Sequence, residues 1–467
     1  MQESEKVINE TRKDAYDGYE SEPLLPAFRE ATTGPTSKTR WYVLSMVSMA
    51  TIVNNFLWSS WGSISQSTQL AYGWSEETLF WVTNVGNITG FIFALLGVYL
   101  VDIKGVRTSM LVCNGAMFLT AATRVITMQH AWATVLLAIG QGINGLATTV
   151  TMSMPAAVSN TWFGLSERTT ATAVPVLSAA MGGAAALLGP LTVDMPQMNN
   201  SIIMANQTDL AGIQQQMRHF NYETCGVTVL LLFCSVVYLP SKPEKAPSRT
   251  AHSERFGFTA GIRHIFKNPS MWLIAAMFAL PIGFFGNWLS FLDVILNPFG
   301  IAQAEVGWIS FYGSICGVAG GILLGRFADM YKKKMKWILI VLNIIVIADF
   351  GWFSCMCVNL LPYSKAAIYV SVIAGAAIVG AAGPLYLELG CETAYPVGEG
   401  MVAGFLGMVI NFGSAVFLFV DQAYAQDTGW TNWALVGVYT AAVPILILFR
   451  EKYTRVDIDI EATDGDG

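Results

Sequence analysis

Residues 41–64 read WYVLSMVSMATIVNNFLWSSWGSI, and no charge interrupts these 24 positions. A membrane-spanning helix needs about 20 mostly apolar residues, so the run is long enough to cross a bilayer. Its second half is polar, with Asn54, Asn55, Trp58 and Trp61. Asn54, Trp58 and Trp61 are spaced i, i+4 and i+7 and share one helix face. An amide facing lipid is an unsatisfied polar group, so this face is expected to look into a bundle or a water-filled cavity. Two readings of the face stay open. One is a site for a small ring-bearing solute, which indoles stack and amides orient. The other is interhelical glue beside an interfacial Trp belt.

The rest of the chain has the same character. It is 54% hydrophobic and 12% charged, with a mean hydropathy of +0.49. A soluble domain carries about 25% charge, so the chain reads as an all-α polytopic membrane protein. Much of the acid behind the net charge of -6 sits in the two tails. Lys and Arg never form a face alongside aromatics, which excludes nucleic acid as a partner. Most of the seven Cys fall inside apolar runs, and the close pair Cys355 and Cys357 has no His neighbour. They read as small packing residues, and no metal or cofactor is expected. No His/Cys cluster or Ser/His pairing lies in the apolar runs, which argues against an enzyme.

Residues 1–40 are polar and charged, lack the apolar core of a secretory leader and read as a disordered tail. Within them Glu20-Ser21-Glu22-Pro23-Leu24-Leu25 puts an acid four places before two leucines. Two exposed leucines suit an apolar pocket and one carboxylate a basic one. Clathrin adaptor proteins read such a motif on the route to lysosomes.

Twelve apolar runs follow, near 41–64, 78–101, 108–128, 131–155, 169–193, 223–241, 271–296, 302–326, 336–360, 364–390, 398–421 and 430–450. They are numbered here as spans 1 to 12. With the N-terminus in the cytosol, 23 of the 26 Lys and Arg fall on the cytosolic side, which is a strong positive-inside signal. Both termini are therefore expected in the cytosol. The loop over 194–222 lies on the opposite face and carries two glycosylation sequons, at Asn199 and Asn206. The charged segment 242–270 divides six-span units over 41–241 and 271–450, and an acidic tail, 451–467, ends the chain.

The two units repeat a signal. Asp102-Ile103-Lys104-Gly105-Val106-Arg107 follows span 2, and Gly325-Arg326-Phe327-Ala328-Asp329-Met330 with three lysines follows span 8. The positive-inside rule explains the bases but not the paired acids, Asp102 and Asp329, at matched places. Parallel six-span halves with this loop resemble the major facilitator superfamily, whose fold is two six-helix bundles. The first half departs from the usual pattern, because Val98 stands where the glycine is expected and Gly97 is one position early.

Further stretches resemble solute carrier family 49 within that superfamily. They include Trp58-Ser59-Ser60-Trp61-Gly62, Ala71-Tyr72-Gly73-Trp74, Thr161-Trp162-Phe163 with Glu167-Arg168, Gly286-Asn287-Trp288 with Leu292-Asp293, and Glu388 with Glu392, Tyr395-Pro396 and Glu399-Gly400. The resemblance runs from about residue 40 to 455. It implies a monomeric lysosomal-membrane carrier with a small-molecule substrate, pyridoxine (vitamin B6). Choline and haem-related carriage, as among other members, is the alternative within the class. A non-transporting receptor or scaffold is the alternative outside it.

By the same resemblance, Asn54 and Trp58 line the substrate site together with Thr148 and Asn411. Trp61, Asn287 and Trp288 are placed beside them. Gly286 stands where choline-carrying members have an aromatic residue, which weakens capture of a quaternary ammonium and favours a neutral, hydroxylated ring.

Charges inside the spans are few, and each costs roughly 2.5–3.5 kcal/mol at a lipid-exposed helix centre. Glu388, Glu392 and Glu399, with Arg168, Asp102, Arg107 and Asp329, read as a cytosolic gate. Asp349, near mid-membrane, and Asp293 are the candidates for a proton site. For Asp349 the competing reading is a satisfied structural acid.

Overall fold

The computed structural model describes residues 38–164, 167–189, 192–193, 198–199, 202–203, 207–243, 257–301, 303–330, 334–423 and 429–453. The Glu20, Leu24 and Leu25 motif, Asn206 and most of the acidic tail lie outside them. Twelve helical spans run through the described residues. Ten helices are long and apolar enough to cross a membrane by themselves. Span 1 is the helix Thr39–Ser63 and falls short of that hydropathy because of its own amides and hydroxyls. Span 2 is broken into Glu76–Ile92 and Ala94–Tyr99. Ser75 caps its start, Oγ accepting the Thr78 N–H at 3.2 Å.

Spans 3 to 6 are Gly105–Ile126, His130–Trp162, Arg168–Leu187 and Gln207–Val237. The second half follows with span 7 over Pro269–Ser290. Spans 8 to 12 are Gln303–Met330, Met335–Cys357, Lys365–Ala394, Glu399–Ala423 and Gly429–Leu448. Span 7 contains a π-helical turn, Ala275–Ala279, just before Pro281. Proline has no N–H to give to the preceding turn, so the ladder widens there. Span 2 turns into span 3 at Gly105, whose φ of 80° costs a side-chain-bearing residue free energy.

The repeat in the sequence is also a repeat in packing. In the first half span 1 packs on span 5, span 2 on 4, and span 3 on 4 and 6; in the second half 7 packs on 11, 8 on 10, and 9 on 10 and 12. The halves meet where span 2 touches 11, span 5 touches 8, and span 4 touches 11. Span 11 is the most enclosed, with 72% of its apolar window buried. The end of the bundle bearing residues 99–107, 162–170 and 394–401 is called the linker end below, and the opposite one the far end.

Two segments differ from expectation. The stretch to 222 is expected as loop, yet span 6 begins at Gln207. Its polar composition hides an apolar face: Ile213, Met217 and Phe220, at i, i+4 and i+7, are buried against Trp61, Tyr72 and Trp74. The linker holds a ten-residue helix, Phe258–Lys267, that buries Gly261 and Ile265. It rests on span 11, with Phe266 edge-on to Phe405 at 5.5 Å. Met198–Asn199 pairs antiparallel with Ile202–Ile203, which holds the backbone of Asn199.

Candidate functional site

The polar face of span 1 is turned into the first half, where spans 1, 2 and 4 meet. Asn54 is fully buried. Its Nδ2 donates to Asn144 Oδ1 at 3.1 Å, and its Oδ1 accepts from the hydroxyls of Thr148 and Thr151 at 3.1 Å each. One turn on, the half-buried Trp58 lays its six-membered ring against Gly86 of span 2; a Cβ added there would sit 3.0 Å from the ring and 3.3 Å from the Gln141 stem. Gln141, Asn144 and Thr148 fall at i, i+3 and i+7 on one face of span 4 and are all buried. Asn84 and Asn87 are buried on span 2, with Asn87 Nδ2 3.5 Å from Asn84 Oδ1. The result is an amide-lined seam with one indole. Sequence reading placed Asn54, Trp58 and Thr148 here but missed Gln141 and Asn144, whose i, i+3 spacing is masked by the Gly-, Ala- and Thr-rich composition of span 4.

Asn411 reaches this region from the second half. It is buried, its Nδ2 donates to Gly407 O at 3.0 Å, and a Cβ on Gly90 of span 2 would lie 3.0 Å from it. It therefore sits on the boundary between halves. Asn287 is half-buried and donates to Gly283 O at 2.9 Å, with Ser414 O of span 11 at 3.5 Å.

Two of the expected site residues are turned elsewhere. Trp61 is buried at the far end of the first half, stacked on Trp74 at 5.7 Å, with the Arg124 guanidinium over its ring at 4.7 Å. Arg124 in turn donates to Ser60 Oγ at 2.9 Å and Leu57 O at 2.7 Å, which fixes the end of span 1. Trp288 is 1% exposed inside the second half, where Nε1 donates to Asn432 Oδ1 at 2.7 Å and the ring packs edge-on to Phe350 and Phe353. Sharing a helix, or adjoining a polar neighbour, did not bring either indole to Trp58, because each found its own core.

The linker end is sealed by contacts between halves. The Asp102 carboxylate, in the π-helical turn Leu100–Lys104 after span 2, lies against Gly400 in the first turn of span 11, where any side chain would collide with it. Helix N-termini favour anions, so this contact draws the halves together. Val98 presses on Gly404, and Met152 Sδ would be 2.6 Å from a Cβ on Gly407. Glu392 and Glu399 are buried, at 1% and 8% exposure. Ser159, Thr172, Glu388, Cys391 and Glu399 line a small cavity where spans 4, 5, 10 and 11 converge. Arg107 is exposed. The side chains of Arg168, Asp329 and Asp293 lie outside the described ones. Asp349 packs its carboxylate on Gly375 of span 10, where a Cβ would be 2.6 Å from Oδ2. That places it within the second half rather than at the amide seam. Among the described residues no group of His, Cys, Asp and Glu is arranged to hold a metal.

Comparison with known proteins agrees with this architecture. Residues 44–418 match the family model of the Major Facilitator Superfamily. The chain is 31% identical over 426 residues to a solute carrier family 49 member 4 homolog of Xenopus tropicalis, covering 90% of this chain and 93% of that protein. It is 24% identical over 447 residues to a choline/ethanolamine transporter of Felis catus, covering 92% of this chain and 76% of the other. Among solved structures it resembles the proton:xylose symporter XylE with a TM-score of 0.66, at 12% identity over 91% of this chain and 99% of that one. It also resembles the E. coli fucose:proton symporter FucP with a TM-score of 0.63, at 11% identity over 89% of this chain and 100% of that one. With two repeated six-span halves closed on a sealed linker end, a match to the superfamily model along most of its length and a relative above 30% identity, the chain belongs to solute carrier family 49 of the major facilitator superfamily, a family of membrane transporters.

Proposed function

We propose that this transporter carries pyridoxine, or a closely similar neutral hydroxylated ring, from the lysosome lumen to the cytosol by alternating access. The observation that carries the reading is the seam of spans 1, 2 and 4, where one indole, Trp58, stands among buried amides and no carboxylate side chain is described beside it. An indole stacks a pyridine ring, and amides pair with its hydroxyls. Asn411 and Asn287 add amides from the second half. Asn54, with its described bonds made inside the first half, positions the span 4 amides. The linker end is the cytosolic gate in this reading, held by Asp102, Glu388, Glu392 and Glu399. Arg107, Arg168 and Asp329, in the end turns of spans 3, 5 and 8, are assigned to the same gate. Proton coupling to the acidic lumen is assigned to Asp349 or Asp293.

Choline is the second reading, favoured by relatives named as choline/ethanolamine transporters. A quaternary ammonium calls for an aromatic cage, and among the described residues Trp58 is the ring shown against Gly86 of the seam. Delivery to the lysosome is assigned to Glu20, Leu24 and Leu25, and glycans to Asn199 and Asn206. The test is uptake into cells expressing the Leu24→Ala, Leu25→Ala variant, which is expected to appear at the plasma membrane. Saturable pyridoxine uptake that excess choline leaves unchanged supports the reading. Choline uptake without pyridoxine uptake reverses it. Persistence of the variant in lysosomes removes the sorting assignment.

A further inference from the structure

The amide seam contains hydrogen-bonding groups that the fold does not use. Gln141 and Asn144 are 3% and 0% exposed. Gln141 Nε2 and Asn144 Nδ2 are each buried with no hydrogen-bond partner among the described residues. Buried polar groups are almost always paired, and an orphan costs the full desolvation of that group. The two residues are three apart on span 4, so they share a face. Asn144 is tied to Asn54, and the Gln141 stem meets the same Gly86 that Trp58 covers. One unspent amide end thus belongs to a residue that shares Gly86 with the indole, and the other to a residue bonded to Asn54, one turn before the indole on span 1.

A third buried amide end without a partner among the described residues, Asn84 Nδ2, belongs to span 2, where Asn84 Oδ1 faces Asn87 of its own helix. Arg124 has its donors engaged and an indole beneath it. Asn343 and Tyr439 line a small cavity within the second half that no element of the first half borders.

We infer that Gln141 and Asn144 are specificity residues that hydrogen-bond the hydroxyl or ring-nitrogen edge of a neutral solute stacked on Trp58. The inference rests on the reading above that Trp58 faces the solute. The Asn54 Nδ2–H that Asn144 Oδ1 accepts fixes the turn of the Asn144 amide, and reversing the Gln141 amide puts a polar oxygen where the orphan nitrogen stands. A trimethylammonium group has neither a donor nor an acceptor, so it leaves both ends unpaired. A hydroxylated ring fills them. A site built to pair a substrate hydroxyl discriminates against the analogue lacking it, because its own buried group is then left alone.

The test uses purified full-length protein and the affinity read from ligand-induced thermal shift, which does not depend on yield. The probes are pyridoxine, deoxypyridoxine and choline. The variants are Gln141→Met and Asn144→Leu, close in shape but unable to pair. Wild type is expected to bind pyridoxine about tenfold tighter than deoxypyridoxine, the ratio of one well-buried hydrogen bond. In at least one variant that ratio is expected to fall to about one, a change that a purely structural role does not produce. Pyridoxine binding with the wild-type ratio in both variants overturns the amide assignment and leaves the ring reading standing. Choline binding that both variants weaken, without pyridoxine binding, keeps the assignment through the choline hydroxyl and overturns the ring reading. Choline binding that neither variant alters overturns both.

Discussion

The two halves share one packing scheme and differ in what fills it. In the first half the meeting of spans 1, 2 and 4 is amide-rich, with Asn54, Asn84, Asn87, Gln141 and Asn144 all buried. In the second, the interior among spans 7, 9, 10 and 12 is mainly aromatic and aliphatic. Phe278 stacks on Tyr386 at 4.8 Å, and Trp288 is wedged among Phe350, Phe353 and Asn432. A repeated fold thus carries a polar seam in one half and a largely apolar core in the other. The paired tryptophans show the division most plainly: Trp58 is half-buried on a polar seam, whereas Trp288 is nearly completely enclosed.

The comparison breaks most readily at Trp288. Trp288→Ala is expected to cost about 3–5 kcal/mol, the range for emptying a core aromatic site, and to leave substrate affinity in the surviving protein unchanged. Thermal unfolding in detergent, followed by binding, checks both parts; a stable variant with weakened binding would move recognition into the second half. Asn54→Ala comes next, at about 1–3 kcal/mol of stability, because Asn144 loses its partner and two hydroxyls lose an acceptor. The expected signature is a lower melting temperature with a smaller change in affinity. Loss of affinity at full stability would instead put the Asn54 amide on the solute.

Trp58→Ala reverses the Trp288 pattern. Affinity is expected to fall about tenfold, or roughly 1.4 kcal/mol, with part of it kept by Trp58→Phe. Concentration-dependent uptake normalised to surface protein measures this, and normal affinity in the alanine variant would remove the indole from the site. The smallest effect belongs to Thr148→Val, which keeps shape and removes one hydroxyl from Asn54 Oδ1. It is expected to lower stability by about 0.5–1.5 kcal/mol, and an equal effect in an Asn54→Ala background would show that the pair does not interact.

Legibility followed the reach of each interaction. Asn54 and Trp58 were readable because helical period alone sets their shared face. Trp61, one turn further, obeys the same period, but the helix ends at Ser63 and Arg124 claims the ring. Asn287 and Trp288 are neighbours in sequence, so they point to different surroundings, and nothing local says which one is enclosed in the core. Gln141 and Asn144 stand in a Gly-, Ala- and Thr-rich span whose period is faint, so their common face shows only against spans 1 and 2. Residues 207–222 looked like loop because the polar side of an amphipathic helix dominates their composition, while three apolar residues fix its packing.

By itself the sequence determined that the chain crosses a membrane, that it does so in two repeated halves and that it resembles solute carrier family 49. Those properties come from sums over long runs: transfer of apolar residues, charge counted across loops, and motifs read in order. The tertiary structure decided which polar groups are spent and which remain. Asn54 takes its partner from a residue 90 positions away, and Trp288 from one 144 away. The Asp102 carboxylate meets its helix end in the other half of the chain, at Gly400. Hydrogen-bond satisfaction depends on short distances and fixed angles between such groups, and only the packing of the spans sets those distances.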